Sequence, residues 1–510
     1  MPGFSRRDFL KAASLVSAGA LFNRFYPSAV SWAGGSQKGP NILILVMDAL
    51  SARNMSLYGY VRNTTPNIAR FAERSTVYHS HYAGGNYTSP GTGSILTGTY
   101  PWTHRAINMR GTIAHSLVDK DLFALVGDDY YRVAYTQNML ADVFLRQSAG
   151  NIDLHMPLDS FPLNGHPSLK SSWFANDPLA AYYAFDDSTL NRTNTSTFLF
   201  NFLNVASWKS IEKYSEPSPE YPFGTPFNSF NFFDNRVVYD ALGSTLLDLA
   251  QNPKPFLTYF HLYSPHEPFS PRQEFVGKLI PDIPEPNKPF HALSLNHFRR
   301  KDLMPLRQKY DEFISDVDDN FGRLIDQLEN AGILDTTYVF LLSDHGELFE
   351  RGEHGHLTPL MYDALLHIPL IVNEPGQKVR RDVFAPTSNT EILPTISRIL
   401  QKEPDPVYEG KLLPGLGGVE DLERSIFSVE AKLNPARLPI TRGSISMIKG
   451  NKKLIYYFGY EDQDDIFELY DLHEDIDELD DLFTKDKVTA ARMKQELLDS
   501  LSTTNNKLRR

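Results

Sequence analysis

Cysteine is absent from all 510 residues, which excludes disulfides, thiolate metal sites and an anchor on a lipid-modified cysteine. Positive charge is in deficit: 50 Lys and Arg against 62 Asp and Glu give a formal net charge of −12. A chain of that sign lacks the broad basic face that non-specific nucleic-acid binding needs. Beyond the N-terminal segment no apolar run reaches the ~20 residues that cross a bilayer. Length is not lacking. It suffices for a large buried core and suggests two or three domains, or one large domain with an appendage.

The N-terminus reads FSRRDFLKAASLVSAGALFNRF: the Arg6-Arg7 pair, then a short apolar run of small residues from Ala12 to Phe22. This charge-then-apolar order is that of a signal peptide rather than a membrane span. The string SRRDFLK resembles the twin-arginine export signal of prokaryotes. A leader over residues 1–33, cut near Ser31-Trp32-Ala33, is expected, with the mature chain periplasmic or secreted and the export machinery as a partner.

After the linker GGSQKGP, the run NILILVMDAL is apolar without interruption up to Asp48, the pattern of a strand buried on both faces of a parallel sheet. TTYVFLLSDHGE is a second such run, ending at Asp344 and His345. PFLTYFHLYSPHEPF is a third, read as ending at His266, and HIPLIVNEPG is a fourth. Ligands of open α/β sheets bind at the carboxyl ends of strands, so acids and imidazoles delivered there point to a site. Between the runs, LRQKYDEFISDVDDNFGRLIDQLENAG carries apolar residues at helical spacing and a stop at Gly332. Its Asp316, Asp318 and Asp319 lack the glycine and final glutamate of a calcium loop and are assigned to a solvated face. His104 and His261 are read as structural histidines. Residues 150–240, rich in Asn, Ser, Phe, Tyr and Pro, read as a loop-rich insertion. From about Arg424, SISMIKG, KKLIYYFGY and FELYDL read as short strands before a charged terminal tract, HEDIDELDD being assigned to the surface. The expected architecture is α/β: a large, mostly parallel mixed sheet flanked by helices over residues 38–423, with a small α+β subdomain over 424–510.

The stretches NILILVMDALSARNMSLYGY, TPNIARFAERSTVYHSHYAGGNYTSPGTGSILTGTYPWTH, HLYSPHEPF, LLSDHGELFERGEHGH, MYDALLHIPLIVNEPG and ELYDLHEDIDELDDL occur in one order from about residue 40 to 485. Together they resemble the sulfatase family of the alkaline phosphatase superfamily. The resemblance implies a divalent cation, Mn, Zn, Mg or Ca, held by Asp48, Thr88, Asp344 and His345. It implies a nucleophile at Thr88, and His266, His354 and His356 placed to grip anionic oxygens or protonate the leaving group. An alcohol is a poor nucleophile at neutral pH unless a metal lowers its pKa, which is the chemical reason for such a set.

The chain departs from the family pattern in four places. Thr88 stands where sulfatases carry the cysteine or serine that becomes formylglycine, Thr92 replaces an arginine, Ala49 replaces a metal-binding aspartate, and Thr136–Met139 (TQNM) replaces a Lys-Trp-His element. These departures resemble the threonine-nucleophile branch, which includes phosphodiesterases and phosphoglycerol and phosphoethanolamine transferases. The expected substrate is an anionic ester on a glycan, lipid head group or small molecule, cleaved at phosphorus. Alternatives are sulfate-ester hydrolysis, head-group transfer, and an inactive binder of anionic glycans. Locally, Thr88 also reads as an N-cap for a helix beginning near Gly91, and Ser89 as a rival nucleophile.

Overall fold

A computed structural model describes residues 39–109, 111–158, 160, 214–228, 231–279, 286–461 and 463–508. The leader, most of the aromatic-rich insertion and the stretch WFANDPLAAYYAFDD lie outside the described residues.

Eight strands form the main sheet: β1 (Asn41–Met47), β2 (Thr76–Tyr78), β3 (Tyr131–Thr136), β4 (Leu154–Met156), β5 (Phe256–Leu262), β6 (Thr337–Leu342), β7 (Leu370–Asn373) and β8 (Arg381–Val383). Their spatial order is β8-β2-β7-β6-β1-β5-β3-β4. Only β7 runs against its neighbours, antiparallel to β6 and β2. β1 is central, every residue of NILILVM is buried, and it pairs in parallel with β5 and β6. Unbroken aliphatic sequence is required there because both faces are covered.

The period of two along each strand sorts the side chains onto those faces. Leu43, Leu45, Phe260, Leu262 and Leu341 pack on one side against Ile68 and Phe71 of α1 (Pro66–Ala72), Leu242 and Leu246 from a later helix, and Phe313 and Phe321. Ile42, Ile44, Val46, Tyr259, Phe340 and Leu342 pack on the other against Ile95 and Leu96 of α2 (Thr88–Thr97) and Phe144 and Leu145 of α3 (Met139–Gln147). The long helix α4 (Arg300–Asn330) carries the expected apolar spacing. Its acidic tract is not a solvated face, which corrects the expectation: Asp316 and Asp318 are buried. Asp318 accepts from the backbone N–H of Asn67 and Ile68 at the start of α1, and Asp316 binds Arg272. Asp319 alone stays partly exposed, also beside Arg272. Charged residues enter a core when each finds a partner or an orphan helix N–H.

The C-terminal strands form a separate antiparallel sheet in chain order, β9 (Ser425–Glu430), β10 (Gly443–Lys449), β11 (Lys452–Phe458) and β12 (Ile466–Asp471). The last helix, α5 (Lys487–Leu508), covers it through Met493, Leu497 and Leu501. This sheet grips the loop that precedes α2: Val429 donates its N–H to the Gly84 carbonyl at 2.8 Å and Ser428 Oγ bonds the Ala83 carbonyl. A β-carbon at Gly85 would crowd Pro90 and the Val429 carbonyl, so a glycine is needed where the two units meet.

A second contact is ionic. Lys453, fully buried on β11, places Nζ 2.7 Å from Asp363 and 2.8 Å from Glu478. Glu478 lies in the charged tract assigned to the surface, yet it is buried; a carboxylate there is tolerated because an ammonium meets it. Although burial disfavours the ammonium, the two carboxylates hold the Lys453 pKa above its ordinary value, and although burial would raise Asp363, the ammonium holds it below its own. Removing the cation strands two buried carboxyls, an error of about 3–5 kcal/mol. Lys453→Met is therefore expected to unfold at clearly lower urea concentration than the parent, and an unchanged midpoint contradicts this account of the contact.

Candidate active site

The register of the sheet assembles the site. Val46 lies opposite both His261 on β5 and Leu342 on β6. Two residues further on, Asp48 and Asp344 therefore emerge from adjacent strand ends on the same side, the side covered by α2. On β3, Thr136 is level with His261, and two residues later Asn138 caps α3 by accepting from Leu140 N–H at 2.8 Å.

Helix α2 has a poor helical sequence, TSPGTGSILT. Pro90 sits in the first turn, where its missing N–H is no loss. The glycines serve approach rather than propensity. A β-carbon at Gly91 would overlap the Asp344 carbonyl oxygen, and one at Gly93 would collide with the His104 ring. The helix begins at Thr88 with Tyr87 at the cap position, so Thr88 is not the N-cap of a helix starting near Gly91. Its hydroxyl projects at a buried helix N-terminus, where backbone N–H groups favour anions.

Asp48, Asp344 and His345 are wholly buried, and one donor atom from each lies within 4.8 Å of the others. His345 Nε2 is 3.4 Å from Asp48 Oδ1, 3.6 Å from Asp344 Oδ2 and 3.4 Å from Thr88 Oγ1. Its Nδ1 is 2.8 Å from the Gly346 carbonyl. That contact places a proton on Nδ1 and turns Nε2 toward the acids, as in histidines that bind metals. Asn138 donates from Nδ2 to Asp48 Oδ2 at 2.5 Å and to Thr88 Oγ1 at 3.2 Å. Between the two acids, Ala49 adopts a left-handed conformation with φ +60°. It is tied down by its N–H to Asp344 Oδ1 and by the Tyr310 hydroxyl on its carbonyl. Strain of that kind persists where the surroundings over-determine it.

Burial would raise the Asp48 carboxyl, but the imidazoles of His266, His261 and His345 hold it well below the usual range. Asp344 goes the other way, raised by burial and by the charge of Asp48. Burial opposes protonation of His345, yet the two carboxylates outweigh it and push that imidazole up to about 9. Among the described residues, Asp48 Oδ1 and Asp344 Oδ2 have no hydrogen-bond partner. Orphaned carboxylate oxygens cost several kcal/mol unless something positive meets them. Two acids, an imidazole and an alcohol with convergent lone pairs fit a divalent cation.

The other expected histidines gather nearby. β5 ends at Leu262, not at His266 as the sequence suggested; His266 follows on a turn and is half-buried. Its ring packs 4.8 Å from that of His356, which in turn packs 4.3 Å from that of His345. His266 Nδ1 bonds the Glu267 carbonyl, leaving Nε2 as an acceptor. His356 Nδ1 is 3.2 Å from the buried Glu347 carboxylate. Burial keeps both imidazoles below their ordinary pKa. His354 stands further out, its Nε2 3.7 Å from Glu267. Ser89 Oγ is buried with no partner.

Three residues at the site were not anticipated. Asn138 touches both Thr88 and Asp48. His261, assigned a structural role from the sequence, instead sits between the acids, its Nε2 3.2 Å from Asp48 Oδ2 and 3.6 Å from Asp344 Oδ2. Lys432 reaches in from the C-terminal unit, bonding the Thr358 carbonyl at 3.0 Å with Nζ 6.0 Å from the Tyr87 ring. The period of two along β5 carried a signal for His261, since it shares a face with Tyr259 one residue before the strand ends.

Comparison with known proteins gives a consistent picture. A family model described as Sulfatase matches residues 40–402. The chain is similar to N-acetylgalactosamine-6-sulfatase of Rattus norvegicus, 21% identical over 324 residues, covering 62% of this chain and 51% of that protein. The human enzyme of that name is covered to 53%, so the chain spans about half the length of these relatives. It is also similar to choline-sulfatase of Rhizobium meliloti, 22% identical over 452 residues, 82% of this chain and 78% of that one. Among solved structures, a phosphonate monoester hydrolase of Agrobacterium radiobacter shares the fold with a TM-score of 0.65 at 17% identity, covering 91% of this chain and 96% of that one.

A pH dependence follows from His345. Metal binding needs its Nε2 lone pair, whereas in the empty site the two acids keep the ring protonated to about pH 9. Each cation bound at neutral pH therefore displaces a proton. Affinity is expected to rise by about tenfold per pH unit up to that point, measured by titration calorimetry in buffers of different ionisation enthalpy. Affinity that stays constant from roughly pH 6.5 to roughly pH 8.5 would contradict this charge balance.

Proposed function

The chain belongs to the sulfatase family of hydrolases, and from that premise we infer that it is an exported, metal-dependent hydrolase of phosphate esters, mono- or diesters, with Thr88 as nucleophile. The observation that carries this reading is Thr88 Oγ1 at the N-terminus of α2, 3.4 Å from His345 Nε2 and bonded by Asn138, which also holds Asp48. Asp48, Asp344, His345 and Thr88 would hold the cation, which would lower the pKa of the Thr88 hydroxyl and neutralise charge on the transferring group.

The rest of the chemistry falls to the chain. Thr88 Oγ1 forms a bond to phosphorus as the bond from phosphorus to the ester oxygen breaks. The proton lost by Thr88 is passed by the imidazoles of His266 and His356 to the departing oxygen. The first N–H groups of α2 face the phosphoryl oxygens, while the Asn138 amide holds Thr88 and Asp48 in place. In the second half, His266 Nε2 takes a proton from water, the water oxygen bonds to phosphorus, and the bond to Thr88 Oγ1 breaks. That proton returns to Thr88, so a monoester and water yield alcohol and phosphate, and a diester and water yield alcohol and a phosphomonoester, with the protein unchanged. His354, at the rim with Lys432, contacts the leaving side of the substrate.

Phosphorus is favoured over sulfur because a phosphothreonine is cleared by attack at phosphorus. A threonine cannot become formylglycine, so the elimination that clears a sulfated intermediate is closed to it. The relatives named N-acetylgalactosamine-6-sulfatase and choline-sulfatase support sulfate-ester hydrolysis as the second reading. The substrate is an anionic ester carried by a glycan, a lipid head group or a small molecule. The twin-arginine leader places the enzyme in the periplasm or outside the cell, with the catalytic unit at 38–423 and the appended subdomain at 424–510. Among the described residues no helix is long and apolar enough to cross a membrane, which weighs against a membrane-embedded head-group transferase.

The test is turnover of aryl phosphate, aryl phosphodiester and aryl sulfate by the Mn- or Zn-loaded protein and by Thr88→Ala. Phosphoester turnover that falls by about three orders of magnitude or more in Thr88→Ala is expected. Turnover of the sulfate alone would install the second reading, and no turnover of any ester would point to a binding protein.

A further inference from the structure

Burying a carboxylate costs free energy unless a cation or N–H groups meet it. Elsewhere in the core the chain meets that condition with strong cations: Asp311 binds Arg62, Asp316 binds Arg272 and Glu478 binds Lys453. Glu347 differs. It is buried just beyond His345, and among the described residues its side chain pairs with neither Lys nor Arg; His356 alone stands beside it. Both carboxylate oxygens lie near His356 Nδ1, at 3.2 and 3.3 Å.

The His356 ring is held between those of His345 and His266, with centroids 4.3 and 4.8 Å away. All three rings are tied at Nδ1. His345 and His266 use backbone carbonyls, those of Gly346 and Glu267, whereas His356 uses the Glu347 carboxylate. A neutral imidazole has one donor and one acceptor nitrogen. A carboxylate at Nδ1 therefore keeps the proton there and leaves Nε2, at the far side of the ring from Glu347, as the acceptor. The His356 side chain keeps 11% of its surface open, so the fixed ring is still within reach of a substrate.

We propose that Glu347 is a positioning residue, whose carboxylate holds His356 by its Nδ1–H so that Nε2 hands a proton to the departing ester oxygen. In that step the proton released by Thr88 and passed through His266 arrives at His356 Nε2. The bond from phosphorus to the ester oxygen breaks, and that oxygen takes the proton. The Nδ1 proton stays in place, and Glu347 neither gains nor loses one. The inference rests on the proposed phosphoester chemistry and adds to it a residue that touches no substrate.

Protonating the departing oxygen matters most when the leaving group is poor. The readout is therefore the ratio of nitrophenyl to phenyl phosphoester turnover by the zinc-loaded protein. Glu347→Met keeps the length of the side chain and removes the acceptor. It is expected to raise that ratio by about two orders of magnitude, as His356→Ala does, with the double variant no further from the parent than either single one. Glu347→Gln, which retains an acceptor, is expected to fall between Glu347→Met and the parent. Both esters slowed alike in Glu347→Met overturns the proposal and leaves Glu347 a structural group, as does a double variant in which the two effects multiply. Should Glu347→Met fail to fold, nitrogen NMR of the zinc-loaded, histidine-labelled parent decides. The His356 ring, identified by the signal lost in His356→Gln, is expected to carry its proton on Nδ1, and a proton on Nε2 in its place overturns the proposal. A parent that turns over no phosphoester overturns the reading beneath it as well, so the two failures are distinguishable.

Discussion

Two carboxylates, Asp48 and Asp344, meet in the dry interior at the ends of adjacent parallel strands, and the surrounding structure is organised by that uncompensated negative charge. Mutual repulsion and burial both oppose having two ionised acids there. The protein answers with imidazoles on either side of Asp48, an amide from Asn138, the positive end of α2 and a strained Ala49 whose N–H turns to Asp344. Each of these partially meets the charge, but oxygens of both acids remain without partners. A site left short of positive charge by its own fold fits a divalent cation.

The scaffold holds this arrangement through register and close approach. Strand pairing fixes Asp48, Asp344, His261 and Asn138 relative to one another to within the spacing of a sheet. Gly91 lets α2 press its first turn against the Asp344 backbone, bringing Thr88 into range. The C-terminal sheet buttresses the loop that precedes Thr88 through Val429 and Gly84, is fastened by the buried Lys453 triad, and sends Lys432 to the rim. That sheet thus belongs to the construction of the site as much as the main one does.

Much of this was legible in the sequence, for identifiable reasons. A strand buried on both faces must be an uninterrupted apolar run, so NILILVM and TYVFLL announced themselves, and the acids that end them followed. The C-terminal strands were legible by their turns. What escaped were residues whose role depends on a neighbour far along the chain. His261 and Asn138 acquire their place only from the pairing of β5 and β3. Asp316, Asp318 and Glu478 resembled surface charge because their buried partners, Arg272, the start of α1 and Lys453, are distant in sequence. The end of β5 was misjudged because the run was carried past Leu262 to His266, although Ser264-Pro265 already marks the turn.

The central claim is that Thr88 itself carries the transferring group. It is tested most directly by acid-quenching the metal-loaded protein during turnover of an aryl phosphodiester and locating the phosphorylated peptide by mass spectrometry. The account predicts phosphate on Thr88, present only while substrate is being consumed. Phosphate on Ser89, or turnover with no phosphorylated residue at all, would contradict it.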